Sequence, residues 1–178
     1  EWVATSPNIP TFESALVYPG IGVVGEVEIN EGRGTPTPFS LFGAPWLDAP
    51  RLLAHLNAAG LAGVKFEPAT YTPRSIPGVA ASPRFAGKKI DGVRVVVTDV
   101  AHIEPLEMGM HVLAAVAAEA RAKGVAKLFP NLAMFHAIAG TKRLHRMLTG
   151  GSDAAAIIAA WRSEVAGFKA QRARYLLY

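Results

Sequence analysis

The chain has no cysteine in its 178 residues. That excludes disulfides, thiolate nucleophiles and zinc-thiolate centres, and it leaves the redox compartment open. Long apolar runs are missing too: charge breaks every alanine-rich stretch before the ~18 to 20 residues that cross a bilayer, so the chain reads as soluble, without a membrane span. No Gly-x-Gly-x-x-Gly opens a helix after a strand, and no Gly-Lys-Ser or Gly-Lys-Thr is present, so the nucleotide folds lack their fingerprint. No Gly-x-Ser-x-Gly marks a serine nucleophile. The five histidines, His55, His102, His111, His136 and His145, never fall into metal-binding spacing, and no metal site is expected. His102 with Glu104 is the one tight histidine-carboxylate pairing, read as a histidine fixed near a helix start.

What is present is enough apolar chain, 51% of residues, for one ordinary core. The net charge of +4 is concentrated late, in Lys142, Arg143, Arg146, Lys169, Arg172 and Arg174. No aromatic stacking motif accompanies these residues, so they read as solvated helix faces and no nucleic-acid partner is expected. The chain opens Glu1-Trp2-Val3, without an initiating methionine or a leader pattern, and Pro7 and Pro10 suit an extended junction over residues 1–12.

Strand-like material is expected to about Ile29, with Ala15-Leu16-Val17-Tyr18 and Ile21-Gly22-Val23-Val24 as its apolar runs. Asp48, Pro50, the stripe Leu52, Leu53, Leu56, Ala59 and then Gly60 spell a short capped helix. Val64-Lys65-Phe66-Glu67 alternates as a half-buried strand running into Pro68. Residues 74–89 form a long functional connection. Gly92 to Asp99 is the clearest strand, expected to be buried on both faces. Helices follow from Pro105 towards Gly124, after Thr141, and from Asp153 to about Arg172, the last with Ile157, Trp161, Val165 and Phe168 on its core face. Strands in the first hundred residues and helices afterwards predict an α+β fold: a small mixed sheet with helices packed on it and a mainly helical C-terminal half.

The most chemical stretch is Asn30-Glu31-Gly32-Arg33-Gly34-Thr35. Glycine on each side of Arg33 permits positive φ and close approach of a ligand to the main chain. Thr35-Pro36-Thr37-Pro38-Phe39 then stiffens the loop. Glu31 and Arg33 offer a carboxylate and a hydrogen-bonding fork to a polar ligand. Glu26, Glu28 and Glu31 supply the carboxylate pairing that glycoside hydrolysis needs, or an acidic solvated edge. Tyr71 with Arg74, and Trp46 after Gly43-Ala44-Pro45, offer a sugar-stacking platform or ordinary core aromatics. A phosphate-binding turn is a weaker reading of the glycine loop.

Taken together, Pro7-Asn8-Ile9-Pro10, Ala15-Leu16-Val17-Tyr18-Pro19-Gly20, Glu31-Gly32-Arg33-Gly34-Thr35, Pro38-Phe39 and Gly43-Ala44-Pro45-Trp46 resemble the exo-β-N-acetylmuramidase family of peptidoglycan hydrolases. Phe66-Glu67-Pro68, Tyr71-Thr72-Pro73, Val97-Thr98-Asp99, Ala139-Gly140-Thr141, Trp161 and Tyr175-Leu176-Leu177-Tyr178 extend the resemblance in the same order. It implies a bacterial, periplasmic or extracellular enzyme of two parts that releases N-acetylmuramic acid from the non-reducing ends of peptidoglycan fragments without a cofactor. This chain resembles the second part: residues 1–12 as a linker from an N-terminal Rossmann-like domain, and residues 13–178 as the C-terminal α/β domain.

On that resemblance Glu31 is the catalytic candidate of this half. Asn30, Gly32, Arg33, Gly34, Thr35, Trp46, Tyr71 and Arg74 are the substrate-binding candidates, with Arg33 gripping a carboxylate or hydroxyl of the sugar, the lactyl carboxylate of muramic acid being a natural partner. The isolated chain is expected to be inactive, and a non-catalytic cell-wall glycan-binding module is the alternative. Family members commonly read Glu-Gly-Thr-Asn where this chain has Gly25-Glu26-Val27-Glu28, so the usual glutamate is shifted by one position.

Overall fold

A computed structural model describes residue 3 and residues 5–177. Glu1, Trp2 and Ala4 of the expected linker, and Tyr178 of the terminal motif, lie outside the described residues. The elements run α1 (Phe12–Val24), β1 (Leu41–Phe42), α2 (Ala49–Ala58), β2 (Val64–Tyr71), β3 (Ile90–Val97), α3 (Pro105–Ala122), α4 (Leu132–Ala139), α5 (Arg143–Thr149) and α6 (Ala154–Arg172). The class is α+β, with a three-stranded sheet in the order β1-β3-β2. Both pairings are antiparallel, with Phe66 opposite Val95 and Leu41 opposite Arg94, so the sheet is not mixed.

The first apolar run is a helix, not a strand. The Thr11 hydroxyl accepts the Ser14 N–H at 3.1 Å, capping α1 at its start. Val17, Ile21 and Val24 then face the core at helical spacing. Packing decides this over the strand preference of the β-branched residues. Gly20 on α1 meets Gly109 on α3 so closely that a Cβ at position 109 would stand 2.5 Å from the Gly20 Cα. Gly20-Ile21-Gly22-Val23-Val24-Gly25 has dinucleotide-loop spacing, but it closes α1 instead of opening a helix.

Local chemistry sets the other elements. Asp48 caps α2 by accepting the Arg51 N–H at 3.1 Å, and Gly60 just beyond the helix takes φ +61°. β2 does not stop at Pro68 but continues through it to Tyr71, which an edge strand tolerates because its outer N–H groups need no partner. β3 carries buried Val93 and Val95, while Arg94 points to solvent and Val96 is half-buried; it is therefore not buried on both faces as expected. Asp153 caps α6 through the Ala156 N–H at 2.8 Å. That helix packs on α3 through Ile157 and Ile158, but Phe168 is 61% exposed and does not belong to the core. No helix among the described residues is long and apolar enough to cross a membrane.

Candidate functional site

The loop from Asn30 to Thr35 is held by its own main chain and by polar side chains turned inward. Asn30 is fully buried. Its Oδ1 accepts the Gly32 N–H at 2.9 Å, and its Nδ2 donates to the Arg33 and Arg84 carbonyls at 3.1 and 3.0 Å. The Thr35 hydroxyl donates to the Gly32 carbonyl at 2.7 Å and accepts the Thr37 N–H at 3.2 Å. With these bonds made, Asn30 and Thr35 shape the loop. Gly32 and Gly34 take φ +82° and +81°. A Cβ on Gly34 would lie 2.6 Å from the Arg74 carbonyl oxygen, so both the turn and the close approach of segment 74 require glycine.

The two charged residues face an open cleft of about 650 Å³ lined by Asn8, Gly25, Glu26, Glu31, Arg33, Arg84 and Asn131, among others. Glu31 is buried, and its Oε1 lies 3.2 Å from the Arg33 Nε. Burial pushes the Glu31 carboxyl above the ordinary carboxylate value. Arg33, the main-chain N–H of Glu31 and Arg84 pull it down, while Glu26 adds to the rise. Arg33 itself is half exposed, with its guanidinium 5.5 Å from the centre of the Phe39 ring. That ring is buried and fixed by an edge contact with Tyr18 at 4.8 Å. A buried carboxyl shifted above its ordinary value thus sits beside an arginine with donors to offer, at the rim of a polar cleft.

Arg84 is the residue that the sequence did not reveal. Lying in the long 74–89 connection, its Nη1 donates to the Gly25 and Ile29 carbonyls at 2.9 and 2.7 Å and also to the Val27 carbonyl. Its Nε lies 3.6 Å from Glu28 Oε2. These bonds gather segment 25–29, which forms turns and bends, beneath Glu31. The three acceptors are main-chain groups more than fifty residues away in sequence, which no side-chain pattern announces.

The acidic trio therefore separates. Glu28 pairs with Arg84, while Glu26 and Glu31 line the cleft. Segment 25–29 is not a strand, so alternation of faces does not decide where these carboxylates point. Gly25 matters for a different reason: a Cβ there would stand 2.9 Å from the Glu31 Cγ, so the small residue makes room for the buried carboxyl.

The aromatic candidates act as braces. The half-buried Trp46 packs against the core and donates its Nε1–H to the Glu28 carbonyl at 2.9 Å. Tyr71 donates its hydroxyl to the Asn30 carbonyl at 3.1 Å, and burial, then the nearby Glu31 charge, pushes its ionisation far up. Tyr71 thus ties to the loop at Asn30, and Trp46 ties to the preceding segment 25–29. Arg74 is tied to the loop through its main chain, its N–H donating to the Gly34 carbonyl at 2.9 Å, while its side chain is exposed. Asn8 joins the same wall by donating its Nδ2–H to the Val79 carbonyl at 2.8 Å.

Elsewhere, His102 pairs with Asp99 at 2.7 Å instead of with Glu104, and this hydrogen bond holds the exposed Asp99 carboxyl below its ordinary value. Among the described residues no group of three or more histidine and carboxylate side chains could hold a metal. A second, more apolar hollow of about 480 Å³ lies between α2, α3 and the start of α6. Its buried carboxylate, Glu119, is flanked by Arg51 at 3.7 Å and Lys123 at 3.9 Å. That hollow gathers none of the residues selected from the sequence.

Comparison with known proteins matches residues 16–178 to the family described as "Exo-beta-N-acetylmuramidase NamZ, C-terminal". The chain is 31% identical over 183 residues to the peptidoglycan beta-N-acetylmuramidase NamZ of Bacillus subtilis (strain 168), covering 99% of this chain and 40% of that protein. Two crystal structures of DUF1343 family proteins from Bacteroides fragilis NCTC 9343 share the fold. One has a TM-score of 0.86 at 26% identity, over all of this chain and 45% of the other. The second has a TM-score of 0.68 at 29% identity, over 98% of this chain and 43% of the other. The chain therefore spans less than half the length of these relatives.

Proposed function

The chain belongs to the exo-beta-N-acetylmuramidase NamZ family, as its C-terminal part, and from this we propose that it forms one wall of the substrate cleft of an exported glycoside hydrolase acting on muramyl sugars at the non-reducing ends of peptidoglycan fragments. The observation that carries the proposal is the pairing at the cleft of a buried Glu31, whose carboxyl burial holds above its ordinary value, with a half-exposed Arg33 at 3.2 Å. A carboxyl whose proton is held above the ordinary range suits the general acid of glycoside hydrolysis, which must protonate a leaving oxygen. Arg33 adds a planar set of donors for a sugar carboxylate, a charge-assisted contact stronger than a neutral hydrogen bond. The opposite wall and the second carboxylate come from the N-terminal portion that the longer relatives possess, so this chain alone does not turn over substrate.

The test is kinetic, in the longer polypeptide. Arg33→Ala is expected to raise KM for para-nitrophenyl N-acetylmuramide about tenfold or more, the loss of roughly 1.4 kcal/mol or more of binding. Glu31→Gln is expected to lower kcat with little change in KM. If neither variant alters either constant, the proposed roles are wrong. A second reading, a glycan-binding module without hydrolysis, is supported by the departure at Gly25-Glu26-Val27-Glu28, where the usual glutamate is shifted to Glu26 and Glu28, standing where the family has asparagine, lies 3.6 Å from Arg84. Binding of muramyl sugars by the longer polypeptide without release of product would favour that reading.

A further inference from the structure

The apolar stripe of α6 begins in the core and runs out of it. Ala154, Ile157 and Ile158 are buried, and Trp161 is half-buried against the core. At the same three-and-four spacing come Val165, 43% exposed, and Phe168, 61% exposed. From Arg162 to Leu177 every described residue is exposed. After α6 the short 3₁₀ turn Ala173–Tyr175 leads to Tyr175 and Leu176, which are 69% and 53% exposed. The last eleven residues of α6, about 16 Å of helix, thus project from the body with Val165 and Phe168 exposed in line with Trp161 and with Arg172 at the next position of the stripe.

A projecting helical end of this length is marginal in water unless something covers its apolar side. Its last anchor to the body is the two-pronged pair of Arg143 with Glu164, at 2.8 and 3.1 Å. Beyond that pair, Lys169, Arg172 and Arg174 give the tip one sign of charge. The whole chain aligns, at a TM-score of 0.86, within a protein of which it covers only 45%. Relatives therefore carry more than half of their length beyond the matched part, enough to bury such a face.

We propose that the stripe Trp161, Val165, Phe168, Tyr175 and Leu176 is the docking surface for the N-terminal portion of the longer polypeptide, and that this portion meets it with an apolar patch rimmed by acidic side chains. The inference rests on the proposed two-part enzyme. It goes further by naming the surface that fixes one part against the other, on a helix separate from the Glu31 loop. The basic tip disfavours a second copy of this chain as the occupant, because two such tips repel each other.

Hydrogen exchange tests this in the longer polypeptide and in the present chain. Amides of residues 165–172 are expected to exchange at least a hundredfold more slowly in the longer polypeptide. The double substitution Val165→Glu with Phe168→Glu is expected to remove that protection while leaving the amides of α3 unchanged. Because both positions are exposed in the present chain, the same pair should leave its thermal midpoint nearly unchanged, which separates lost docking from misfolding. Equal exchange in the two polypeptides overturns the proposal, as does protection in the present chain that grows with its concentration, the sign of a second copy. Muramidase assays on the same samples keep the two ideas apart: protection without hydrolysis refutes the enzymatic reading and leaves the docking surface standing, whereas hydrolysis without protection does the reverse.

Discussion

Arg84→Met should be the most informative single change in the site. Nη1 of Arg84 carries two hydrogens but faces three carbonyls, those of Gly25, Val27 and Ile29, so the acceptors share two donors. A hydrogen bond from a charged group contributes about 1.5–3 kcal/mol, and two such donors about 3–6 kcal/mol. The side chain is 28% exposed, so water can replace part of what is lost, and a net cost of about 3 kcal/mol is the reasonable expectation. Methionine keeps most of the apolar stem and adds no cavity of consequence. For a chain of this length, about 3 kcal/mol lowers the thermal midpoint by roughly 6–12 °C. Calorimetry or thermal circular dichroism measures it directly. Lysine at position 84 should recover part of the loss, because one ammonium can reach carbonyls but cannot also present a planar Nε–H toward Glu28. A midpoint change below about 2 °C for the methionine variant, or lysine no better than methionine, would show that segment 25–29 is held by something other than this guanidinium.

Two further outcomes follow from the same geometry. Gly34→Ala places a Cβ at φ +81° and 2.6 Å from the Arg74 carbonyl oxygen; adding about 1–2 kcal/mol for the left-handed backbone to about 1–3 kcal/mol for the overpacked contact, urea unfolding should show a loss of about 2–5 kcal/mol. A loss below about 1 kcal/mol would mean that the loop relaxes freely. Glu31→Gln should change how stability depends on pH. The folded state raises the Glu31 pKa above its ordinary 4.5, so the native chain keeps a proton that the unfolded chain releases. The stability contributed by that proton is complete below pH 4.5 and is lost as pH rises through the folded-state value. The glutamine variant lacks this loss, so its stability relative to the parent should grow with pH across the window. A difference that is flat with pH would refute the raised pKa.

What the sequence revealed was local. Asp48, Pro50 and Gly60 mark α2 because caps are chemistry between near neighbours. The loop around Arg33 stood out because glycines at positive φ leave a visible signature. What it concealed depended on distant partners. The valines and the isoleucine of α1 read as a strand until the glycine contact with α3 placed them in a helix. Trp46 and Tyr71 read either as a sugar platform or as core aromatics; the polar atoms of both reach main-chain carbonyls, of Glu28 and Asn30, and main-chain acceptors carry no residue identity. Phe168 read as core because its spacing continues that of Ile157 and Trp161; the periodicity was right, but α6 runs past the body of the fold and leaves the ring exposed.

The electrostatics of Glu31 and Arg33 carry one more consequence for the proposed chemistry. An arginine 3.2 Å from a carboxylate ordinarily lowers its pKa, yet here the net shift is upward. Burial wins because the two groups stand in different surroundings: Glu31 is cut off from water, whereas Arg33 is half in it, so solvent weakens the field of the arginine more than it relieves the desolvation of the carboxyl. Arg33 nevertheless still holds Glu31 down. A sugar carboxylate that draws the guanidinium toward itself removes part of that restraint and adds a negative charge nearby, and both changes favour the protonated acid. On the proposed function, substrate binding and readiness of the acid are therefore linked through one side chain. It follows that Arg33→Ala should shift the alkaline limb of the kcat profile upward in pH even as it weakens binding, a combination that a mere loss of substrate contact does not produce.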